Sequence, residues 1–209
     1  MSTSSKETPL KEITSFLGLV KSENDDNSRS QVKGMRHNIS YDAEGRFLCG
    51  DLNIHIDREG TWFYHGTPIG RKELVKLFSK VIHRDDEGIY WLITPAEKGR
   101  ILVEDAPFMA VEMTVMDDGG DQRLEFRTNV DDFVVAGPTH PLRFAENPET
   151  GEPAPYILVR KNLEAKLTRN VFYQLVDLGE ERSTPEKITL GVWSDGEFFE
   201  IGRLEALGE

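Results

Sequence analysis

The sequence predicts an α+β fold of two β-rich domains, each mostly antiparallel and each carrying one main helix. Three observations lead there. Between Ile89 and Ala136, five short strand-like runs follow one another with only turns between them. Arg71–Ile82 and Lys161–Leu178, one in each half, space their apolar residues as helices do. Finally, Asp57-Arg-Glu-Gly-Thr-Trp-Phe-Tyr-His-Gly66 is echoed by Trp193-Ser-Asp-Gly-Glu-Phe-Phe-Glu-Ile-Gly202, with Arg71 and Arg160 at the helix entrances, which points to a duplication.

Taken in order, residues 1–37 read as a flexible tail, polar and poor in aromatics, which cannot bury enough surface to offset its ordering entropy. Within it Leu10, Ile13, Phe16, Leu17 and Val20 have the spacing of a short amphipathic helix. Residues 38–108 form the first domain. Asn53–Asp57 alternates, Arg58-Glu59-Gly60 turns, and Thr61–His65 returns, which is a hairpin. Arg71–Ile82 follows as a helix with Leu74, Val75, Leu77, Phe78, Val81 and Ile82 on its inner face. Beyond the turn Asp85–Gly88 come strands at Ile89–Thr94 and Ile101–Glu104.

The second domain, residues 109–209, opens with strands at Met109–Met116, Arg123–Thr128 and Phe133–Ala136, the first two joined by a hairpin loop at Asp117–Asp121. Arg123–Thr128 alternates cleanly, putting Leu124 and Phe126 inward. Gly137–Pro155 reads as a loop, Tyr156–Arg160 as a strand, and Lys161–Leu178 as a helix with Leu163, Leu167, Val171 and Leu175 inside and Gly179 past its end. A hairpin of Ile188–Trp193 and Phe198–Ile201, turning at Ser194–Gly196, closes the fold.

Composition excludes several functions. A net charge of −12 over 209 residues disfavours nucleic acid and anionic membranes as partners. One cysteine, Cys49, allows no intramolecular disulfide and no cysteine-based metal site. His37, His55, His65, His83 and His140 show no metal-ligand spacing, so neither metal nor cofactor is expected. No run approaches the roughly eighteen apolar residues of a spanning helix, and no secretory signal pattern opens the chain, so a cytoplasmic location is expected. Phosphate-loop, dinucleotide, zinc-protease and nucleophile-elbow motifs are absent.

The remaining chemistry lies in charged side chains at strand ends. Thr94–Phe108 mixes charge, proline and apolar residues most densely, and Glu104-Asp105 follows Ile101-Leu102-Val103 directly. With Glu97 and Lys98, this pair reads either as an acid/base set or as an internal ion-pair network, the latter being commoner. His65 reads as a strand-end histidine bonded to a backbone carbonyl, or as the mouth of a pocket. Gly66-Thr-Pro-Ile-Gly-Arg71 leads into a helix whose N-terminus can receive an anion, with Arg71 as a clamp; equally it is an ordinary turn with an exposed arginine. Arg127, Arg143 and Arg160 also sit at strand edges or in ordered-looking loops.

Read together, Trp62…Gly66-Thr-Pro-Ile69…Arg71…Leu74-Val75…Leu77-Phe78, Tyr90…Thr94-Pro95…Glu97-Lys98 and Val103-Glu-Asp-Ala-Pro-Phe108 resemble a bacterial family known as domain of unknown function 1285. Phe126-Arg-Thr-Asn129, His140-Pro-Leu-Arg-Phe144, Pro155-Tyr156…Val159-Arg160 and Trp193-Ser194…Gly196…Phe198 continue the resemblance, which spans Tyr41 to Gly202. It implies two related domains, the second pleckstrin-homology-like, with a cleft between them for a nucleotide-like ligand and a role in signalling. The ligand-binding set expected on that basis is His65, Thr67, Arg71, Thr94, Glu97, Lys98, Glu104, Asp105, Arg127, Asn129, Arg143 and Arg160.

The preferred expectation is therefore a ligand-binding or regulatory protein without catalysis. The alternatives are a hydrolase or transferase using Glu104 or Asp105 with Lys98 as electrostatic stabiliser, and a protein–protein adaptor presenting the tail and the second domain.

Overall fold

The computed structural model describes residues 40–116, 121–146, 151, 153–184 and 187–204. The expected tail, with its Leu10–Val20 stripe, and Asp117–Gly120 of the expected hairpin loop lie outside the described residues.

The first sheet is built from β1 (Phe47–Ile56), β2 (Trp62–Tyr64), β3 (Thr67–Pro68), β4 (Ile82–Arg84), β5 (Tyr90–Ile93) and β6 (Glu97–Val103), with helix α1 (Lys72–Ser79) between β3 and β4. Its spatial order is β3-β2-β1-β6-β5-β4, and only the central pair β1–β6 is parallel. Two three-stranded meanders thus meet along their first and last strands. The turns have a common cause. Asp42-Ala-Glu-Gly45, Asp57-Arg-Glu-Gly60 and Asp85-Asp-Glu-Gly88 are three copies of one device. In each, the aspartate Oδ1 accepts the backbone N–H groups two and four residues on, and the glycine sits at φ of +79°, +77° and +84° respectively. A side chain without β-carbon is what that left-handed position favours.

Helix α1 is shorter than its apolar spacing suggests. Val81 lies beyond the C-cap Lys80, and Ile82 starts β4, where it is buried. Ile82 is β-branched and suits a strand as well as a helical face, and the sheet claims it while Val81 stays in the turn. Leu74 and Phe78 are the apolar residues that α1 buries, Phe78 stacking on Trp62 with ring centroids 6.2 Å apart.

The second sheet repeats the plan. It contains β7 (Phe108–Met116), β8 (Arg123–Thr128), β9 (Phe133–Val135), β10 (Leu142–Glu146), β11 (Pro153–Arg160) and β12 (Leu163–Leu167). The order β10-β11-β12-β7-β8-β9 again joins two meanders through one parallel pair, β12–β7. Here the helix, α2 (Arg169–Asp177), follows the last strand instead of separating the meanders. A third sheet of β13 (Glu180–Ser183), β14 (Ile188–Ser194) and β15 (Glu197–Leu204) completes the described chain.

Three expectations are corrected here. Lys161–Leu178 is not one helix: Leu163, Ala165 and Leu167 are buried on one face of β12 while Glu164 and Lys166 point the other way. A four-residue Leu–Leu spacing fits both periods, and the alternation decides it. The expected loop Gly137–Pro155 contains β10 and the first residues of β11. The Asp57–Gly66 echo does not mark equivalent places, because its second copy lies in the third sheet, whereas the strand plans that correspond are β1–β6 and β7–β12.

One apolar cluster runs through both halves, from Ile54, Trp62 and Phe78 to Phe108, Phe126, Leu175 and Val192. Leu124, Phe126, Ile157 and Leu175 have no exposed surface. The two sheets therefore share a core, and polar contacts at its margins set how the halves meet.

Candidate functional site

At one margin stands the acidic pair that ends β6. Glu104 lies 2.7 Å from His55 Nε2 and 3.9 Å from Arg58 Nε, both carried by the first hairpin. Asp105 crosses to the second sheet, accepting from the Tyr156 hydroxyl at 2.7 Å and from Lys166 Nζ at 2.6 Å. Burial, and then the Asp105 carboxylate, push the Tyr156 hydroxyl well above the ordinary tyrosine range, so it remains a donor. Arg143 lies over the Tyr156 ring at 4.2 Å and makes two bonds to Glu164, at 2.8 and 2.7 Å. Signs thus alternate along this margin. Of the two carboxylates open to an acid/base reading from sequence, Asp105 has both oxygens engaged and Glu104 has Oε1 against His55.

A second margin gathers Arg127, Asn129 and Arg160. Asn129 bonds the Met109 N–H at 3.1 Å and donates to the Gly60 carbonyl at 3.2 Å, joining the halves. Arg127 is held by Glu112 and Asp131, at 2.6 and 2.9 Å. Lys72 of α1 reaches the same Asp131 at 2.8 Å. That carboxyl is held down to about 2, first by the Lys72 bond and also by Arg127. Arg160 lies over Phe108 and donates to Asp132 and to the Ser79 carbonyl at the end of α1, at 2.5 and 2.6 Å. These groups lace the halves together.

The remaining expected residues stand apart from both margins. His65 is exposed in the β2–β3 turn, its backbone N–H bonded to the Asn53 carbonyl. Thr67 is exposed on edge strand β3, and Arg71 is exposed at the N-cap of α1. Thr94, Glu97 and Lys98 cluster at the far end of β5 and β6. Thr94 Oγ1 accepts the Glu97 N–H at 3.0 Å, and Lys98 lies over the Trp91 ring at 4.3 Å. Glu97 Oε2 is buried without a hydrogen-bond partner, and burial raises that carboxyl.

The structure brings together residues that sequence reasoning passed over. Arg58 and Glu59 at the tip of the first hairpin, Pro155 of β11, Lys166 of β12, and Arg169 and Phe172 of α2 line a cavity of about 270 Å³ between the halves. Three cations and one carboxylate face it. Glu104 and Asp105 stand behind Arg58 and Lys166 and fix where those two cations sit. Helix α2 begins at the cavity with Thr168 as N-cap, no side-chain cap bond and no acidic residue in its first turn. Arg169 stands in that first turn, beside the helix N-terminus. No single run announces this site, since its parts are spread from Arg58 to Phe172 and meet only through strand pairing. Two local signals were present: basic residues on either side of Thr168, a good N-cap type, and Arg58 at a hairpin tip. Among the described residues, no three histidine, cysteine, aspartate or glutamate side chains are grouped as a metal site. Nor, among those residues, is any helix long and apolar enough to cross a membrane.

Comparison with known proteins agrees with this plan. Residues 47–106 match the family model described as "Domain of unknown function (DUF1285), N-terminal domain", and residues 107–201 match "Protein of unknown function (DUF1285), C-terminal domain". A crystal structure of a DUF1285 family protein from Silicibacter pomeroyi is similar at 46% identity, with 75% of this chain and 83% of that chain covered and a TM-score of 0.68. A DUF1285 family protein from Shewanella baltica is similar at 28% identity over 61% of this chain and 91% of that one, with a TM-score of 0.48. No curated protein matches. The chain belongs to the DUF1285 family, whose function is unknown.

Proposed function

We propose that this DUF1285 protein is a non-catalytic ligand-binding or regulatory module that takes a small, anionic, nucleotide-like molecule between its halves and acts in signal transduction. The observation that carries this is the cavity at the junction, where Arg58, Lys166 and Arg169 converge from three elements beside the start of α2. Cations from both halves give a bound anion a way to couple them. The repeated strand order supports a duplication, and a run of strands ending in α2 is the feature that favours a pleckstrin-homology-like second half. A hydrolase or transferase working through Glu104 or Asp105 has less support, since His55 engages Glu104 Oε1 and Tyr156 and Lys166 occupy both Asp105 oxygens.

Thermal shift against nucleoside phosphates tests this reading. A ligand at one hundred times its dissociation constant stabilises the native state by about 2.7 kcal/mol, a shift of a few degrees. The expected result is a saturable shift that Arg58→Ala and Arg169→Ala each reduce while the unliganded melting temperature stays close to wild type. A shift unaffected by both variants would place binding elsewhere, and a flat panel would reject the proposal.

A further inference from the structure

The basic cavity does not end at Phe172. A second cavity of about 180 Å³ adjoins it, lined by Pro153, Arg169, Phe172 and Tyr173. Pro153, Arg169 and Phe172 line both. The chambers differ in chemistry. The first has three cations, Arg58, Lys166 and Arg169, against one carboxylate, Glu59; the second adds the Tyr173 ring to the shared Phe172, Pro153 and Arg169 and holds no carboxylate. Tyr173 is 59% exposed, among the most exposed large apolar side chains of the described chain, although it follows directly on Phe172 in a helix with apolar sites inside. The rings of Phe172 and Tyr173 stand 6.4 Å apart at 35°, and Phe144 backs Phe172 at 6.5 Å. The shelf is thus braced from beneath and open above.

From this we infer that the site is built for a ligand in two parts, a phosphate head in the basic chamber and a planar ring on the Phe172–Tyr173 shelf, so that Tyr173 determines specificity. The inference rests on the reading that the junction binds an anion. What it adds is the ring and the residue that selects it: a ring-bearing phosphate held by Tyr173, as opposed to inorganic phosphate or a sugar phosphate. Every heteroaromatic ring has a π-face, so stacking selects for a ring without selecting strongly among rings. Arg169, common to both chambers, stands where head and ring join.

Titration calorimetry with AMP, GMP, CMP, UMP, ribose 5-phosphate and inorganic phosphate tests this, on wild type and on Tyr173→Ala and Arg58→Ala. Tyr173 is exposed, so its truncation leaves the core intact, and near-ultraviolet circular dichroism checks that. At least one nucleoside monophosphate should bind about fivefold or more tightly than ribose 5-phosphate, and Tyr173→Ala should remove that margin while sparing the sugar phosphate. Arg58→Ala should weaken both. Equal affinity for the nucleotides and ribose 5-phosphate, with Tyr173→Ala indifferent and Arg58→Ala harmful, would overturn the inference and leave the anion site standing. Absence of binding by all six probes, or binding unaffected by Arg58→Ala, would overturn the anion site and the inference together.

Discussion

Glu97 and Asp131 show how differently two carboxylates of one acidic chain are treated. Burial raises Glu97, and its Oε2 finds no partner, so its ionised form is disfavoured in the folded state. A raised carboxyl costs stability once pH exceeds its unfolded value, and the cost vanishes as pH falls below that value. Glu97→Gln is therefore expected to stabilise at neutral pH by up to about 1 kcal/mol, with the gain fading below about pH 4.5. Urea unfolding at pH 7 and pH 4 reads this directly; a loss at pH 7 would mean that Glu97 is paired in solution. Asp131 is the reverse, held at about 2 by Lys72 and Arg127. Its depressed value supplies stability that is present above about pH 4 and lost as pH falls toward 2. Wild type should exceed Asp131→Asn in stability at pH 6, and the difference should shrink over that acid window. Asparagine tolerates the positive φ of 61° found there, so the variant reports on charge and not on backbone strain. A difference that stays constant from pH 6 to pH 2 would show that the carboxylate's charge contributes nothing.

At the scale of elements, the three Asp-x-Glu-Gly turns offer an internal control. Gly45 and Gly60 have nearly the same φ, +79° and +77°. A β-carbon on Gly45 would meet nothing within 4 Å, whereas one on Gly60 would stand 2.5 Å from Met109 Cγ and 3.0 Å from Asn129 Nδ2. Gly45→Ala should thus cost only the left-handed penalty of about 1–2 kcal/mol. Gly60→Ala should cost about 1–3 kcal/mol more, because it forces the halves apart at the Asn129 contact. Equal losses in denaturant titrations would show that the junction yields there. The same scale explains what the sequence could reveal. Arg123–Thr128 was readable to the residue because its alternation is unbroken and both inward side chains, Leu124 and Phe126, are fully buried. Leu163–Leu167 reads as helix in the sequence because its period-two pattern is only five residues long and runs straight into helical spacing. The acidic pair Glu104-Asp105 stood out in sequence and does stand at the junction, where it fixes two cations. The cavity those cations line was not legible, since the pairing of β12 with β7 and the packing of the first hairpin against it bring Arg58, Lys166 and Arg169 together.

At the scale of the molecule, the question is whether two family domains make two folding units. Two sheets of equal strand order argue for separate units by descent, but the apolar cluster argues for one by energetics, because it passes from Trp62 and Phe78 through Phe108 into Phe126 and Val192 without a break. Polar ties reinforce it: Arg160 to the end of α1, Asn162 to the Arg84 carbonyl at 3.0 Å, and Asp105 to Tyr156 and Lys166. Cutting the chain at the family boundary would expose Phe108, which has no exposed surface, and leave Arg160 without the Ser79 carbonyl. Burying one large aromatic side chain is worth about 1.5–3 kcal/mol, a large share of what a half of this size can hold in reserve. A single cooperative transition is therefore expected. The tryptophans make it measurable, since Trp62 and Trp91 report on the first sheet and Trp193 on the third. In guanidinium titrations, Trp193→Phe protein, reporting on the first half, and Trp91→Phe protein, enriched in signal from the second, should give midpoints that coincide with each other and with far-ultraviolet circular dichroism. Should the first-half signal melt earlier, the junction would be the weak seam, and ligand bound there would then be expected to raise that earlier midpoint selectively.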